Sequence, residues 1–74
     1  MKTETDIFME NVVHLRRAHG LSRRNMAEIL GIGVKSLHKI ERGVMPPRLR
    51  VDVLFRIQTY FNLSPAALFQ QMGE

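Results

Sequence analysis

The sequence predicts an all-α protein, five short helices packed as one compact bundle. Three observations carry that expectation. Apolar residues recur at three- and four-residue steps, the spacing that lines one face of a helix, and no run alternates as a strand would. Four helix starts share one pattern, an apolar residue before the cap and another deeper in the helix, which is a hydrophobic staple. The pairs are Leu21 with Met26, Ile32 with Leu37, Leu49 with Leu54, and Leu63 with Leu68. Glycine or asparagine stands where a helix must end.

Residues 1–5 are expected to be frayed, with the folded domain over 6–70 and a short tail at 71–74. Thr5 or Asp6 can cap the first helix, and an acidic residue there also suits the helix dipole. Phe8, Val12 and Leu15 make its buried stripe, and Gly20 ends it. Ser22 caps the second helix with its hydroxyl. Met26, Ala27 and Leu30 face the core, and Gly31 supplies the left-handed residue that closes the helix. Gly33, a weaker cap, opens the third helix, with Leu37 and Ile40 inward and Gly43 at its end. The stretch Ser22–Gly43 is thus two short helices joined by a tight turn.

Val44-Met45-Pro46-Pro47-Arg48 follows as a loop, since its prolines cannot continue a helix. A fourth helix is expected over about Val51 to Phe61, with Leu54, Ile57 and Phe61 inward and Asn62 ending it. Its cap, Arg50, is a poor one. Ser64 and Pro65 start a short fifth helix, because proline fits a first helical turn. Leu68 is its anchor to the core.

Composition narrows the function. The chain has no cysteine among its 74 residues, which removes disulfides and thiolate metal sites. The polar start MKTETD argues against a signal peptide, and no apolar stretch approaches the ~20 residues of a membrane span. A soluble, cytoplasmic protein is the expectation. The net charge of +4 hides an asymmetry, for ten of the eleven basic residues lie between Arg16 and Arg56. Only Glu28, Glu41 and Asp52 oppose them there, so that segment carries +7. A basic centre with acidic ends suits an anionic partner.

The Ser22–Gly43 stretch resembles the Cro/C1-type (lambda-repressor-like, XRE family) helix-turn-helix of bacterial and phage regulators. The matching residues are Leu21-Ser22 before the first of the two helices, Ala27 within it, Gly31 at the turn, and the ending Ile40-Glu41-Arg42-Gly43. The resemblance extends upstream through Leu15-Arg16 and downstream to Leu68, over roughly residues 8 to 69. It implies a five-helix lambda-repressor-like domain whose third helix, about 33–42, lies in the major groove of double-stranded DNA with the second helix across its mouth. It also implies a structural ion pair between Arg16 and Glu41. Gly43 to Phe61 is about two residues longer than the commonest family spacing, which leaves Arg48 and Arg50 less well placed than the third helix.

Carried over residue by residue, the base-facing positions are Val34, Lys35 and Lys39, flanked by Ser36 and His38. Lysine can donate to guanine O6 and N7, and Val34, polar in most of the family, can pack on a thymine methyl. Contact to phosphate alone is the competing role for each lysine. The phosphate-contacting set is Ser22, Arg23, Arg24, Arg42, Arg48 and Arg50. Arg23 stands where the family often has glutamine, and its guanidinium can meet a phosphate with two hydrogen bonds. Amides at the start of the second helix can also point at a phosphate. Six such contacts would make affinity fall with salt at a log–log slope of about −5. Arg56, well inside the fourth helix, is expected to be a surface residue.

His14 and His19 are five apart, a spacing that does not put two ligands on one helix face, and His38 is on another helix. No metal, cofactor or enzyme activity is expected. Met26 is a core residue, while Met9, Met45 and Met72 are unplaced by the pattern. Phe55, Tyr60 and Phe69 lie off the inward stripe. They either complete a small core or form a homodimer surface with Met72, as family members commonly dimerise through this half. The expected function is a small transcriptional repressor binding an inverted-repeat operator, with helices one to five using up the chain. The alternative is an antitoxin or other protein-interaction module on the same fold.

Overall fold

The computed structural model describes residues 2–46, 49 and 51–72. These form α1 (Glu4–Ala18), α2 (Arg23–Leu30), α3 (Val34–Glu41), α4 (Val51–Phe61) and α5 (Pro65–Leu68), with no strand among the described residues. They fill a volume of about 28 × 25 × 22 Å.

One apolar core joins all five helices. Phe8, Met9, Val12 and Leu15 come from α1, and Met26, Ala27 and Leu30 from α2. Leu37 and Ile40 are the contribution of α3, Val53 and Ile57 of α4, and Leu68 of α5. Each staple residue ahead of a helix, namely Leu21, Ile32, Leu49 and Leu63, lies half-buried against that cluster. Leu54 and Phe61, expected to point inward, are half-buried, and Val53 is the buried residue of the first turns of α4. Ile57 is buried as expected, and the inward stripe is widened by Val53, with Leu54 and Phe61 packing at its edge.

Local signals set the helix ends. Ser22 and Ser64 accept hydrogen bonds from the amides of Asn25 (3.0 Å) and Ala67 (3.2 Å). Gly31 is left-handed, with φ of 71°. Its N–H bonds to Glu28 O at 3.1 Å and that of Ile32 to Ala27 O at 3.0 Å, satisfying two carbonyls the helix leaves open. Gly20, Gly43 and Asn62 end α1, α3 and α4 in the same left-handed conformation.

The start of α1 corrects the expected one. Its cap is Thr3, not Thr5 or Asp6, so residues 4 and 5 lie in the first helical turn. The Thr3 hydroxyl accepts from Asp6 N–H at 3.1 Å, and the Asp6 carboxylate accepts from Thr3 N–H at 3.2 Å. This reciprocal capping box satisfies two amides at once, which a cap at either later position would forgo.

Asn11 is the buried polar residue in the core. Its side-chain amide donates to Leu68 O at 2.7 Å and Gln70 O at 2.8 Å, and its oxygen accepts from Met72 N–H at 3.2 Å. All three bonds go to backbone at or just beyond the end of α5. Phe69 stacks on Phe8 with ring centroids 6.0 Å apart. The tail is thus fastened to α1 by polar and aromatic contacts together.

Candidate nucleic-acid interface

α3 is eight residues long, and its period sorts its side chains into two faces. Leu37 and Ile40 are fully buried, and they orient the helix. Val34, Lys35, His38 and Lys39 are exposed on the other side, with Arg42 one turn beyond His38. Val34 is 46% exposed, an apolar residue held in solvent at the start of the helix. His38 is exposed in one row with Val34 and Arg42, which lie one turn before and one turn after it. Ser36 is half-buried at the edge of this face. The face therefore offers two ammonium groups, an imidazole, a guanidinium and one apolar patch.

The start of α2 lies close to the end of α3, and Glu41 shows how. Its carboxylate, 6% exposed, accepts from Arg16 Nε at 2.7 Å through one oxygen and from Arg23 Nε at 2.8 Å through the other. Arg16 also donates from Nη1 to Leu21 O at 3.1 Å, bracing the segment before α2. Three helices thus meet at one carboxylate. Burial pushes the Glu41 carboxyl up, but the hydrogen bonds and charges of Arg23 and Arg16 outweigh it. The group sits below its ordinary value. A carboxylate shared by two guanidiniums leaves one net positive charge at the joint.

The Arg16–Glu41 pair is the one the resemblance implies. The Arg23–Glu41 contact was not foreseen. Arg23 stood only as a phosphate-contacting residue, and nothing in local spacing brings position 23 to position 41. The one available signal was a second cation beside a single acid in the basic centre.

Ser22, Arg24 and Arg42 are exposed, as is Arg23, whose side chain is 53% accessible. Because the Ser22 oxygen already accepts the Asn25 amide, its hydroxyl hydrogen is what it can offer a ligand. Arg24 and Arg42 make no ion pair among the described residues. Arg48 and Arg50 lie outside the described residues. Arg56 crosses to the turn between α2 and α3, where its guanidinium lies against Gly31.

Phe55 and Tyr60 of α4 are 61% and 56% exposed, and Phe69 is 36% exposed. Met72 is half-buried on the core, and Met9 is wholly inside it. Phe69 rests one side on Phe8 and Tyr60 meets Phe61 edge-on, and each keeps part of its ring in solvent.

Comparison with known proteins agrees with this geometry. A family model described as helix-turn-helix matches residues 14–68, about three quarters of the chain. No match was found among curated proteins or among solved structures.

Proposed function

The chain belongs to the Cro/C1-type helix-turn-helix family, whose members bind DNA, and from that premise we propose a sequence-specific regulator that represses by occupying a promoter. The observation that carries the reading is the outward face of α3, where Val34, Lys35, His38 and Lys39 stand exposed on a helix fixed by Leu37 and Ile40. The major groove is wide enough for such a helix and presents a distinct pattern at each base pair. Lys35 and Lys39 then read guanines, and Val34 a thymine methyl. His38 and Ser36 flank these contacts.

Ser22, Arg23, Arg24 and Arg42 take the flanking phosphates, together with Arg48 and Arg50. Such contacts set register and orientation, while the base-facing residues carry the discrimination. No cofactor enters this function. The protein acts as a homodimer through its C-terminal half, and the exposed aromatics of α4 are the surface most in want of a partner. The same aromatics favour the second reading, a protein-interaction module such as an antitoxin.

Selection from a randomised duplex pool separates the two. An enriched inverted repeat, with half-sites about one helical turn apart, supports the regulator and the dimer. A single enriched half-site supports monomeric binding. No enrichment at moderate salt replaces the regulator with the interaction module.

A further inference from the structure

We propose that Glu41 is a positioning residue for DNA binding, acting through Arg23. The inference rests on the reading above, in which the start of α2 meets the phosphate backbone. Arg23 could have been a mobile surface side chain. Instead its Nε–H is held by a carboxylate at 2.8 Å, and that carboxylate is fixed at its other oxygen by Arg16 at 2.7 Å.

The choice of nitrogen matters. A guanidinium has a side edge that includes Nε and an end edge formed by the two terminal nitrogens. Glu41 takes Nε, and no bond to the terminal nitrogens is made among the described residues. With Nε taken, the end edge still offers the two parallel donors that can grip a phosphate. The side chain is 53% accessible, on a stem fixed at Nε.

Two effects of Glu41 on DNA then oppose each other. Its charge repels phosphate, while its grip removes freedom that Arg23 would otherwise lose on binding. The joint's net positive charge limits the first effect. Immobilising a long side chain on binding costs a factor of about two to ten in affinity, and the proposal requires this second effect to prevail. Glu41 closes α3 and Arg23 opens α2, so this contact also sets the phosphate grip relative to the base-reading face.

The test measures affinity for a fluorescein-labelled mixed-sequence 20-bp duplex across a series of KCl concentrations, with thermal melts run beside it. Wild type is compared with Arg23→Gln, Arg23→Lys, Glu41→Gln and the Arg23→Gln/Glu41→Gln double variant. Arg23→Gln should reduce the log–log salt slope by about 0.9, the loss of one phosphate contact. Arg23→Lys should keep the slope and lose about two- to tenfold in affinity, since lysine retains the charge without the fork. Glu41→Gln should weaken binding although it removes a negative charge, and should add nothing in the Arg23→Gln background.

An unchanged slope in Arg23→Gln overturns the proposal, as does wild-type affinity in Arg23→Lys. So does a Glu41→Gln protein that binds as tightly as wild type or tighter. Should Glu41→Gln melt below the working temperature, all variants are compared at a lower temperature at which it is folded. Absence of salt-dependent binding by wild type would instead remove the DNA-binding reading itself, a separate failure.

Discussion

Asn11 and Leu68 stand 57 positions apart in the chain and are joined by a 2.7 Å hydrogen bond from the side-chain amide of one to the carbonyl of the other. With its bonds to Gln70 and Met72, Asn11 satisfies three backbone groups of the C-terminal turn. Truncation to alanine leaves them without that partner in or near the core. Asn11→Ala should destabilise by about 1–3 kcal/mol. Urea unfolding measures the loss, and amide exchange should show protection falling first over residues 68–72. A uniform loss of protection would contradict the local role.

Arg16 and Glu41 supply a second prediction. Removing one partner of a buried pair costs about 3–5 kcal/mol when the other charge is left unpaired. Here Arg23 still faces the carboxylate, so Arg16→Ala should cost less, about 2–3 kcal/mol. Arg23→Ala, at the exposed side of the joint, should cost about 1 kcal/mol or less. Equal losses in the two variants would show that burial is not what separates the arginines.

The same carboxylate sets an acid limb. Its folded value is lowered from an ordinary 4.5, so the unfolded chain binds the proton more readily. The stabilisation is complete above pH 4.5 and is lost as pH falls below it through the folded value. Thermal melts between pH 7 and 3 should therefore show wild type losing stability more steeply below pH 4.5 than Glu41→Gln, which starts lower at neutral pH. Parallel curves would mean that other carboxylates govern the acid limb.

Gly31 carries a double constraint. Its φ of 71° disfavours any Cβ, and a Cβ built there would lie 2.9 Å from the Arg56 guanidinium. Backbone strain alone should make Gly31→Ala cost about 1–2 kcal/mol. Arg56 can swing aside, so a cycle with Arg56→Ala should show coupling of only about 0.5 kcal/mol. At Gly43, where φ is 83° and no atom lies within 4 Å of the added carbon, the backbone cost should stand alone.

Base and phosphate roles separate by specificity. Lys35→Ala should lose about 1–3 kcal/mol on the selected site and much less on mixed-sequence DNA. Arg24→Ala should weaken both alike and reduce the salt slope by about 0.9. Competition binding on the two duplexes checks both. Equal loss on both duplexes for Lys35→Ala would assign it to phosphate instead.

What the sequence disclosed follows from the range of the interactions involved. Ser22, Gly31, Asn62 and Ser64 act on backbone within four residues of themselves, so their roles could be read directly. The outward face of α3 was equally legible, because Leu37 and Ile40 fix its phase. Asn11 was not, since a polar residue in an amphipathic helix reads as solvent-facing until its distant backbone partners are known. Thr3 and Thr5 both suit a cap, and the reciprocal bond with Asp6 decides between them. Val53 and Leu54 are adjacent apolar residues, and only packing chooses the buried one. Arg23 met Glu41 through tertiary geometry that no local pattern contains.

The left-handed stops at Gly20, Gly31, Gly43 and Asn62 have a kinetic consequence. Each break is written in a few consecutive residues and can form without the core. The hinges are therefore specified locally, and most joining occurs between segments near in sequence. Topologies of this kind fold in microseconds to milliseconds. The long return is that of residues 68–72 to Asn11. Because each doubling of loop length adds only about 0.6 kcal/mol to the cost of closure, that return does little to slow a search otherwise made between neighbours.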